Sequence, residues 1–183
     1  MHAARILWIV GHSTLPADAF VALLCAAGIG MVADVRRWPA SRRHPQFHAA
    51  TLADTLHAAG IGYAHPPDLG GRRAPRRDPT NTLWRTAGFR GYADYMDTPA
   101  YAQAEAGLVA TAGQARTTVL CAEALWWQCH RGLIADSLKS QGWQVLHLRA
   151  SGAPEPHPYT RAARIADGRL TYAPEAAGQG ALF

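Results

Sequence analysis

Short apolar runs alternate along the chain with stretches in which apolar residues recur every three or four positions. The runs are typical of buried strands and the recurring pattern of amphipathic helices. This alternation predicts an α/β fold, a single domain whose mostly parallel central sheet is flanked by helices. The predicted strands lie at 5–10, 31–35, 63–65, 117–121 and 144–148, and the predicted helices at 16–27, 51–59, 91–96, 99–112 and 130–140.

Loop and turn residues divide the chain further. Thr14 is the expected N-cap of the first helix, and Gly28 its end. The long segment 66–88 is rich in arginine, proline and glycine, and loops of that length are usually functional or mobile. We expect an α/β domain over 1–150, a hairpin and linker over 151–178, and a separate tail over 179–183.

The composition is that of a globular protein, since 49% of the 183 residues are apolar and 17% are charged. No apolar run is long enough to cross a bilayer, and the N-terminus lacks the pattern of a signal peptide. These features predict a cytoplasmic protein without membrane contact. Its three cysteines would then be reduced, and Cys25 reads as a small core residue.

The positive charge is carried almost entirely by arginine. The net formal charge is +5, and Lys139 is the only lysine. The guanidinium group donates in a planar fork suited to phosphate and stacks on bases. GC-rich coding also replaces lysine with arginine, but it does not explain why the arginines cluster. We therefore expect a nucleic acid, above all DNA, or a nucleotide as partner.

Polar residues follow three of the predicted strands where each one ends. In open parallel sheets, ligands bind outside the carboxyl ends of the strands. Three clusters converging on one edge predict a pocket there. They are His12 and Ser13; Asp34, Arg36 and Arg37; and Cys121, Glu123, Cys129, His130 and Arg131.

The segment 121–131 offers two candidate reactive groups. Glu123 follows an apolar strand, so we expect a desolvated carboxylate with a raised pKa, suited to general acid/base catalysis. Cys121 is a candidate nucleophile, because a helix beginning near His130 would favour a thiolate. Metal ligation by Cys121, Cys129 and His130 is a further possibility, but their spacing matches no common zinc pattern, so neither a metal nor another cofactor is expected.

Aromatic and basic residues are interleaved in segments 38–47 and 89–96. Such interleaving suits stacking on bases while charges hold phosphates. Tyr92 and Tyr95 could equally be core residues at helical spacing, and Met96 is expected in the core. His12 and Asp34 join the candidate catalytic set; the candidate substrate- or phosphate-binding set is Ser13, Arg36, Arg37, Ser41, Arg90, Tyr92, Tyr95, Trp127, Cys129, His130 and Arg131.

Five short motifs together resemble the bacterial family called domain of unknown function 488 (DUF488). They are Gly11-His12-Ser13, Asp34-Val35-Arg36 with Pro39 and Ser41, Leu69-Gly70-Gly71, Phe89-Arg90-Gly91-Tyr92, and Cys121-Ala122-Glu123 with Cys129-His130-Arg131. The resemblance runs in order from about residue 6 to 150. It implies an α/β domain and a motif set but no established reaction.

Two weaker resemblances bear on function. Asp34-Val35-Arg36 and the strand-terminal Cys121 occupy places similar to those in rhodanese-type sulfurtransferases, although the loop 121–131 is longer than the compact anion cradle of that group. The C-terminal residues Gln179, Leu182 and Phe183 resemble the short peptide by which bacterial replication and repair proteins bind the sliding clamp. The second resemblance implies the clamp as a partner.

Three hypotheses of function follow. The first is an enzyme acting on DNA or a nucleotide, such as a repair-type glycosylase or related hydrolase that uses Glu123. The second is a cysteine enzyme that transfers sulfur or cleaves a phosphoester through Cys121. The third is a non-catalytic nucleic-acid-binding module tethered to the clamp. The grouping of an acid, two thiols and a histidine at strand ends favours an enzyme.

Overall fold

The computed structural model describes residues 5–174, and a six-stranded sheet lies at its centre. The strand order is β3-β2-β4-β1-β5-β6. The first five pair in parallel, whereas the two-residue β6 adds an antiparallel edge. The strands are β1 (Ile6–Gly11), β2 (Met31–Asp34), β3 (Gly62–Ala64), β4 (Thr117–Cys121), β5 (Gln144–His147) and β6 (Glu155–Pro156).

Five α-helices within the described part of the chain connect these strands, as expected for parallel pairing, in which each return crosses one face of the sheet. They are α1 (Ala17–Ala26), α2 (Ala49–Ala58), α3 (Ala87–Met96), α4 (Pro99–Gln114) and α5 (Arg131–Ser140). Short 3₁₀ helices occur at Pro45–Phe47, Pro67–Leu69 and Trp126–Gln128. The predicted α/β class with a mostly parallel sheet flanked by helices is therefore confirmed.

The central strands β1, β2 and β4 bury both of their faces, and alternate side chains enter two separate cores. In β1, Leu7 and Ile9 belong to one core, and Trp8 and Val10 belong to the other. The first core is completed by α3, α4 and α5, and the second by α1 and α2. Helices thus cover both faces, and the carboxyl edge of the sheet is left for loops.

A small hairpin follows the sheet. Its strands are β7 (Arg164–Ala166) and β8 (Arg169–Thr171), which pair antiparallel. Asp167 and Gly168 connect them with φ angles of 50° and 74°, the left-handed conformations that a tight two-residue hairpin turn needs. Among the described residues, none of the helices is both long and apolar enough to span a bilayer.

Three local expectations are wrong. Thr14 does not cap the first helix, because α1 begins at Ala17 after Pro16 and has no side-chain cap. The third helix begins at Ala87, four residues before the predicted position, since its first turn is less apolar than the rest. Cys25 is exposed and not a core residue, because it lies on the outer side of α1.

Candidate active site

The ends of β1, β2 and β4 lie side by side at the carboxyl edge of the sheet. The backbone amide of His12 donates to the carbonyl of Cys121 across 3.0 Å, and that of Ser13 to Ala122 across 2.9 Å. On the other side of β4, the amide of Val35 donates to Leu120 across 3.0 Å. The structure therefore brings together the three polar clusters that follow these strands.

Gly11 allows the loop after β4 to lie against the end of β1. A Cβ atom at this position would be 1.8 Å from the carbonyl oxygen of Glu123, which no real side chain tolerates. The backbone of Glu123 thus packs directly on the β1 backbone. The Gly11-His12-Ser13 motif keeps the loop closed over the strand ends.

Two buried thiols and an imidazole meet beneath this loop. The Nδ1 atom of His130 lies 4.0 Å from Sγ of Cys121 and 3.6 Å from Sγ of Cys129. Its Nε2 atom lies 3.1 Å from the backbone oxygen of Val35. Since a carbonyl only accepts, Nε2 carries the hydrogen, and in the neutral ring the Nδ1 lone pair faces the sulfurs. We call these three residues the thiol–imidazole cluster.

The surroundings shift the pKa values of the two thiols in opposite directions. The hydrogen bond from Cys129, with His130 and Arg131 close by, holds the pKa of Cys121 well below its usual range. Burial, followed by the neighbouring Cys121, raises the pKa of Cys129. Their side chains are only 6% and 4% exposed. Of the two sulfurs, Cys121 is therefore the one that loses its proton more readily.

Arg131 lies at the start of α5 beneath the same loop. It is 2% exposed, and one of its terminal nitrogens donates to the carbonyl of Ala124 across 2.9 Å. Within residues 5–174, its Nε and its other terminal nitrogen have no hydrogen-bond partner. A buried guanidinium with unused donors is suited to hold an anion, because leaving such donors unpaired is costly.

Gly71 covers one face of the His130 ring. A Cβ at Gly71 would lie 2.7 Å from Nδ1, 3.0 Å from Cγ and 3.2 Å from Cε1. These similar distances put the position above the ring and not in its plane. The Leu69-Gly70-Gly71 motif thus packs on the imidazole and leaves the in-plane direction of the Nδ1 lone pair open.

Asp34 and Arg36 form a buried, two-pronged ion pair beside the cluster. Arg36 donates from Nε across 2.8 Å and from a terminal nitrogen across 2.5 Å. Tyr63 also donates to Asp34 across 2.8 Å. Because these hydrogen bonds occupy its carboxylate, Asp34 has the contacts of a residue that positions neighbouring side chains.

His12 is linked to this pair through Arg36, whose third nitrogen lies 3.3 Å from Nε2 of His12. Nδ1 of His12 lies 2.9 Å from the carbonyl of Ser13, so Nδ1 is the donor and Nε2 accepts from the guanidinium. Burial, with the charge of Arg36 acting in the same direction, lowers the pKa of His12 to about 4. The ring also stacks on Phe47 with centroids 4.0 Å apart. His12 is therefore a neutral, fixed imidazole near pH 7.

The two candidate tyrosines hold the loop that carries Gly71 in place through hydrogen bonds to its backbone. The hydroxyl of Tyr92 donates to the carbonyl of Leu69, and that of Tyr95 to the carbonyl of Asp68, each across 2.8 Å. Tyr92 is fully buried, and Tyr95 is covered by the guanidinium of Arg73 at 3.7 Å. Of the two roles considered for Tyr92, stacking on bases and packing in the core, these contacts correspond to packing in the core.

The remaining candidates differ in position. Ser41 accepts from the amide of His44 and so helps to form a turn. Arg90 is half-buried on α3, with an Nε atom that has no partner within residues 5–174. Trp127 is 53% exposed on the loop after β4.

The expectation that Glu123 is desolvated is wrong: its side chain is exposed, because the loop turns outward after β4.

Trp38 was not among the candidates although it lies in the basic, aromatic segment 38–47. It is 64% exposed, and the guanidinium carbons of Arg37 and Arg72 lie 5.0 Å and 5.9 Å from its ring centroid. Arg37 also donates to the carbonyl of Arg72 across 3.0 Å. We call Arg37, Trp38 and Arg72 the tryptophan clamp. Only the exposure of Trp38, which a sequence does not reveal, distinguishes it from a core residue.

A second buried network follows β5 and was also missed. His147 lies 2.9 Å from His157, which in turn lies 2.9 Å from Asp136. Thr160 and Tyr172 complete the shell of Asp136. Burial, followed by positive neighbours, lowers the pKa of His147 to about 3. The position of His147 at a strand end was the signal that could have revealed it.

A family model described as domain of unknown function DUF488 matches residues 16–138. The chain belongs to this family. The match confirms the resemblance drawn from the motifs, and it includes the thiol–imidazole cluster, the tryptophan clamp and Gly71. The Gly11-His12-Ser13 motif precedes the matched range. No curated protein and no solved structure matches the chain significantly.

The DUF488 assignment brings no reaction with it. The likeness to rhodanese-type domains remains a prediction. The clamp-binding peptide, with Gln179, Leu182 and Phe183, lies outside the described residues.

Proposed function

We propose that this DUF488 chain is an enzyme that hydrolyses a bond in nucleic acid or in a nucleotide, with the thiol–imidazole cluster as its catalytic centre. One observation carries the choice of substrate. An exposed tryptophan with two guanidinium groups near its ring stands beside a buried reactive cluster. Aromatic stacking combined with nearby positive charge is how proteins hold single-stranded bases and their phosphates.

The exposed position of Trp38 in the tryptophan clamp suits a ligand that binds from solution. Burying Trp38 would be favourable for the protein alone, yet its ring stays in solvent near the guanidinium groups of Arg37 and Arg72. Arg72 adopts the left-handed region with φ of 58°, a backbone conformation that costs energy for a non-glycine residue. This supports a preformed platform on which a base stacks while the guanidinium groups contact phosphates.

The clamp is also next to the cluster. A Cβ at Gly70 would lie 2.9 Å from Cα of Arg37, and Gly71 packs on the ring of His130. Val35, whose carbonyl accepts from His130, precedes Trp38 by three residues. Three residues span at most about 11 Å. A nucleotide stacked on Trp38 can therefore place its neighbouring bond near the cluster.

Positive charge is concentrated in the two segments that contain the clamp residues. Ten of the eighteen lysine and arginine residues fall within 36–43 and 72–90, and Asp78 is the only acid in those two segments. Arg36 is buried against Asp34, and the arginines of these segments that are exposed would neutralise phosphates along a strand and make binding depend on salt. Near the cluster, the buried guanidinium of Arg131 adds to this positive charge.

Glu123 remains a second candidate for the acid or base. Its side chain is exposed to solvent on the loop that covers the cluster, so its carboxylate can contact a bound substrate there. We place the primary centre at Cys121, Cys129 and His130, because the two sulfurs and the imidazole nitrogen of those residues converge. Glu123 would then transfer protons at the mouth of the site.

A product assay tests this proposal. Purified protein is incubated with single-stranded and duplex oligonucleotides that carry a panel of modified and damaged bases, and with nucleotides. Released bases, dephosphorylated nucleosides and strand breaks are measured by mass spectrometry. Cys121→Ser and Glu123→Gln are assayed in parallel, and Cys25→Ser is the matched control, since Cys25 is an exposed thiol on α1.

We expect a product that Cys25→Ser still forms and Cys121→Ser does not. Loss in Glu123→Gln as well would assign the proton transfer to Glu123. Salt-sensitive binding without product under any condition would contradict an enzyme and favour the nucleic-acid-binding module. Product formation unchanged in Cys121→Ser would refute the cluster as the centre.

A second candidate function is covalent catalysis by the Cys121 thiolate on a small sulfur- or phosphate-bearing substrate. Its support is the position of Cys121 at the end of a buried strand, 4.0 Å from a histidine nitrogen and near Arg131. Intact-mass and peptide mass spectrometry of the protein during turnover separate the two candidates. Covalent catalysis predicts a substrate-derived mass adduct on Cys121 and none on Cys25, whereas direct hydrolysis by water predicts no adduct on either cysteine.

A further inference from the structure

We propose that Cys121, Cys129 and His130 are three ligands of a zinc ion whose fourth position is open to water or substrate. The inference is independent of the kind of substrate, and it deepens the proposed function by supplying the reaction with an activated water. It is carried by the convergence, spacing and orientation of the three side chains.

The donor set is one that zinc prefers. Two thiolates and an imidazole are borderline-soft ligands, and sites of this composition are tetrahedral. The three donor atoms all lie within 4.8 Å of one another. Within residues 5–174, no fourth cysteine, histidine or acid joins the cluster.

The spacing fits a tetrahedral ion. With bonds of about 2.3 Å to sulfur and about 2.0 Å to nitrogen, a tetrahedral site places sulfur and nitrogen about 3.5 Å apart. The two sulfur–nitrogen distances are 3.6 Å and 4.0 Å. Both sulfur–nitrogen distances are thus within about 0.5 Å of the tetrahedral spacing.

The imidazole is oriented as a metal ligand. Ligating histidines commonly donate their other ring hydrogen to a carbonyl or carboxylate, which fixes the ring and the tautomer. His130 does this with Val35 across 3.1 Å. Gly71 lies on the face of the ring and leaves the in-plane lone pair of Nδ1 open toward the sulfurs.

Arg131 adds a second, independent observation. Its buried Nε and one terminal nitrogen have no partner within residues 5–174, although its positive charge favours the thiolate form of both cysteines. Two thiolates neutralise a zinc ion and keep enough electron density on sulfur to accept from N–H groups. The guanidinium donors would then be satisfied by the sulfurs.

An open position is the mark of a catalytic zinc site, whereas structural sites have four protein ligands. A zinc-bound water has a pKa of about 7, against 15.7 for bulk water. Hydrolysis by that water adds hydroxide to one product and a proton to the other, so no further reactant is needed.

The test is the metal content of the full-length chain, purified without a polyhistidine tag, dialysed, and measured by inductively coupled plasma mass spectrometry. We expect about one zinc per chain in the wild type and in Cys25→Ser. Cys121→Ser and Cys129→Ser should each retain little or none. Circular dichroism shows whether these two variants are folded.

Cobalt substitution of the wild-type protein keeps the test independent of variant folding. Two thiolate ligands in a tetrahedral cobalt site should produce an intense thiolate-to-metal absorption band that zinc abolishes. A wild-type chain that takes up neither zinc nor cobalt would overturn the inference, as would equal zinc in Cys121→Ser and the wild type. Zinc binding without any nucleic-acid product would leave the site intact and refute the proposed function instead.

Discussion

The Nε2 hydrogen of His130 is donated to the backbone carbonyl of Val35 across 3.1 Å. This bond connects the beginning of α5 to the end of β2, although the two residues are 95 positions apart in the chain. Because the acceptor belongs to the backbone beside a central strand, the ring orientation does not depend on a mobile side chain. The cluster is thus pre-organised by the sheet.

The first prediction concerns Gly71. In Gly71→Ala the new methyl group would lie 2.7 Å from Nδ1 of His130, so the ring or the loop must shift. We expect zinc affinity to fall by roughly 10- to 100-fold, the range seen when groups that orient a ligand are changed. A zinc titration against a competing chelator measures the change.

Gly107→Ala is the matched control, because it adds a methyl group within α4 where nothing lies within 4 Å. It should leave zinc affinity unchanged and stabilise the protein by up to about 1 kcal/mol, since alanine favours a helix interior. Unchanged zinc affinity in Gly71→Ala would contradict the role assigned to this glycine.

The second prediction concerns Trp38. Because stacking on an aromatic ring contributes about 1–3 kcal/mol per base, Trp38→Ala should weaken single-stranded oligonucleotide binding by roughly 5- to 150-fold. The measurement is fluorescence anisotropy of a labelled oligonucleotide.

Tyr159→Ala is the control for an exposed aromatic residue. Tyr159 packs against Lys139 at the far end of α5. The start of α5, at the cluster, is about 12 Å away along the helix axis. This variant should bind as the wild type does. Equal losses in the two variants would mean that the tryptophan clamp is not a specific platform.

The third prediction concerns the salt dependence of binding. If Arg37 and Arg72 contact phosphates, Arg37→Gln and Arg72→Gln should each reduce the slope of log affinity against log salt concentration by about 1. Arg169→Gln, an exposed arginine on the hairpin, should leave the slope unchanged. A series of binding curves at increasing salt gives these slopes, and slopes equal to that of the wild type would exclude phosphate contacts by the clamp.

The fourth prediction concerns acid. The pKa of His147 is about 3 in the folded chain, and an unfolded histidine titrates near 6.5. Between these values the unfolded state binds a proton that the folded state does not, so stability falls as the pH drops from about 6.5 to about 3. The slope is at most about 1.4 kcal/mol per pH unit.

His147→Gln should reduce this slope, and His57→Gln, which changes an exposed histidine on α2, should not. Urea unfolding at several pH values gives the free energies. A slope unaffected by His147→Gln would show that other groups account for the acid sensitivity.

Much of the fold could be predicted because it depends on local patterns. Apolar strands and periodic helices identified β1, β2 and β4, and the rule that parallel strands end at one edge placed His12, Asp34 and Cys121 together. The two-residue β6 carries too short a pattern to be recognised. The side-chain direction of Glu123 was missed, since an apolar strand says nothing about where the chain turns after it.

The contacts that define the site depend on distant pairings. Gly71 meets His130, and Trp38 meets Arg72, only after long loops have closed on the sheet. The zinc-like spacing of Cys121, Cys129 and His130 is likewise hidden in the sequence. Eight positions separate the cysteines, and the folding of the loop through its 3₁₀ turn brings them together.

The most direct test of the central claim is the turnover of the oligonucleotide or nucleotide substrate before and after the removal of zinc. Our account predicts that a chelator abolishes product formation, that one equivalent of zinc restores it, and that oligonucleotide binding through Trp38 persists throughout. Turnover at the same rate in the zinc-free protein would contradict a zinc-dependent centre at Cys121, Cys129 and His130.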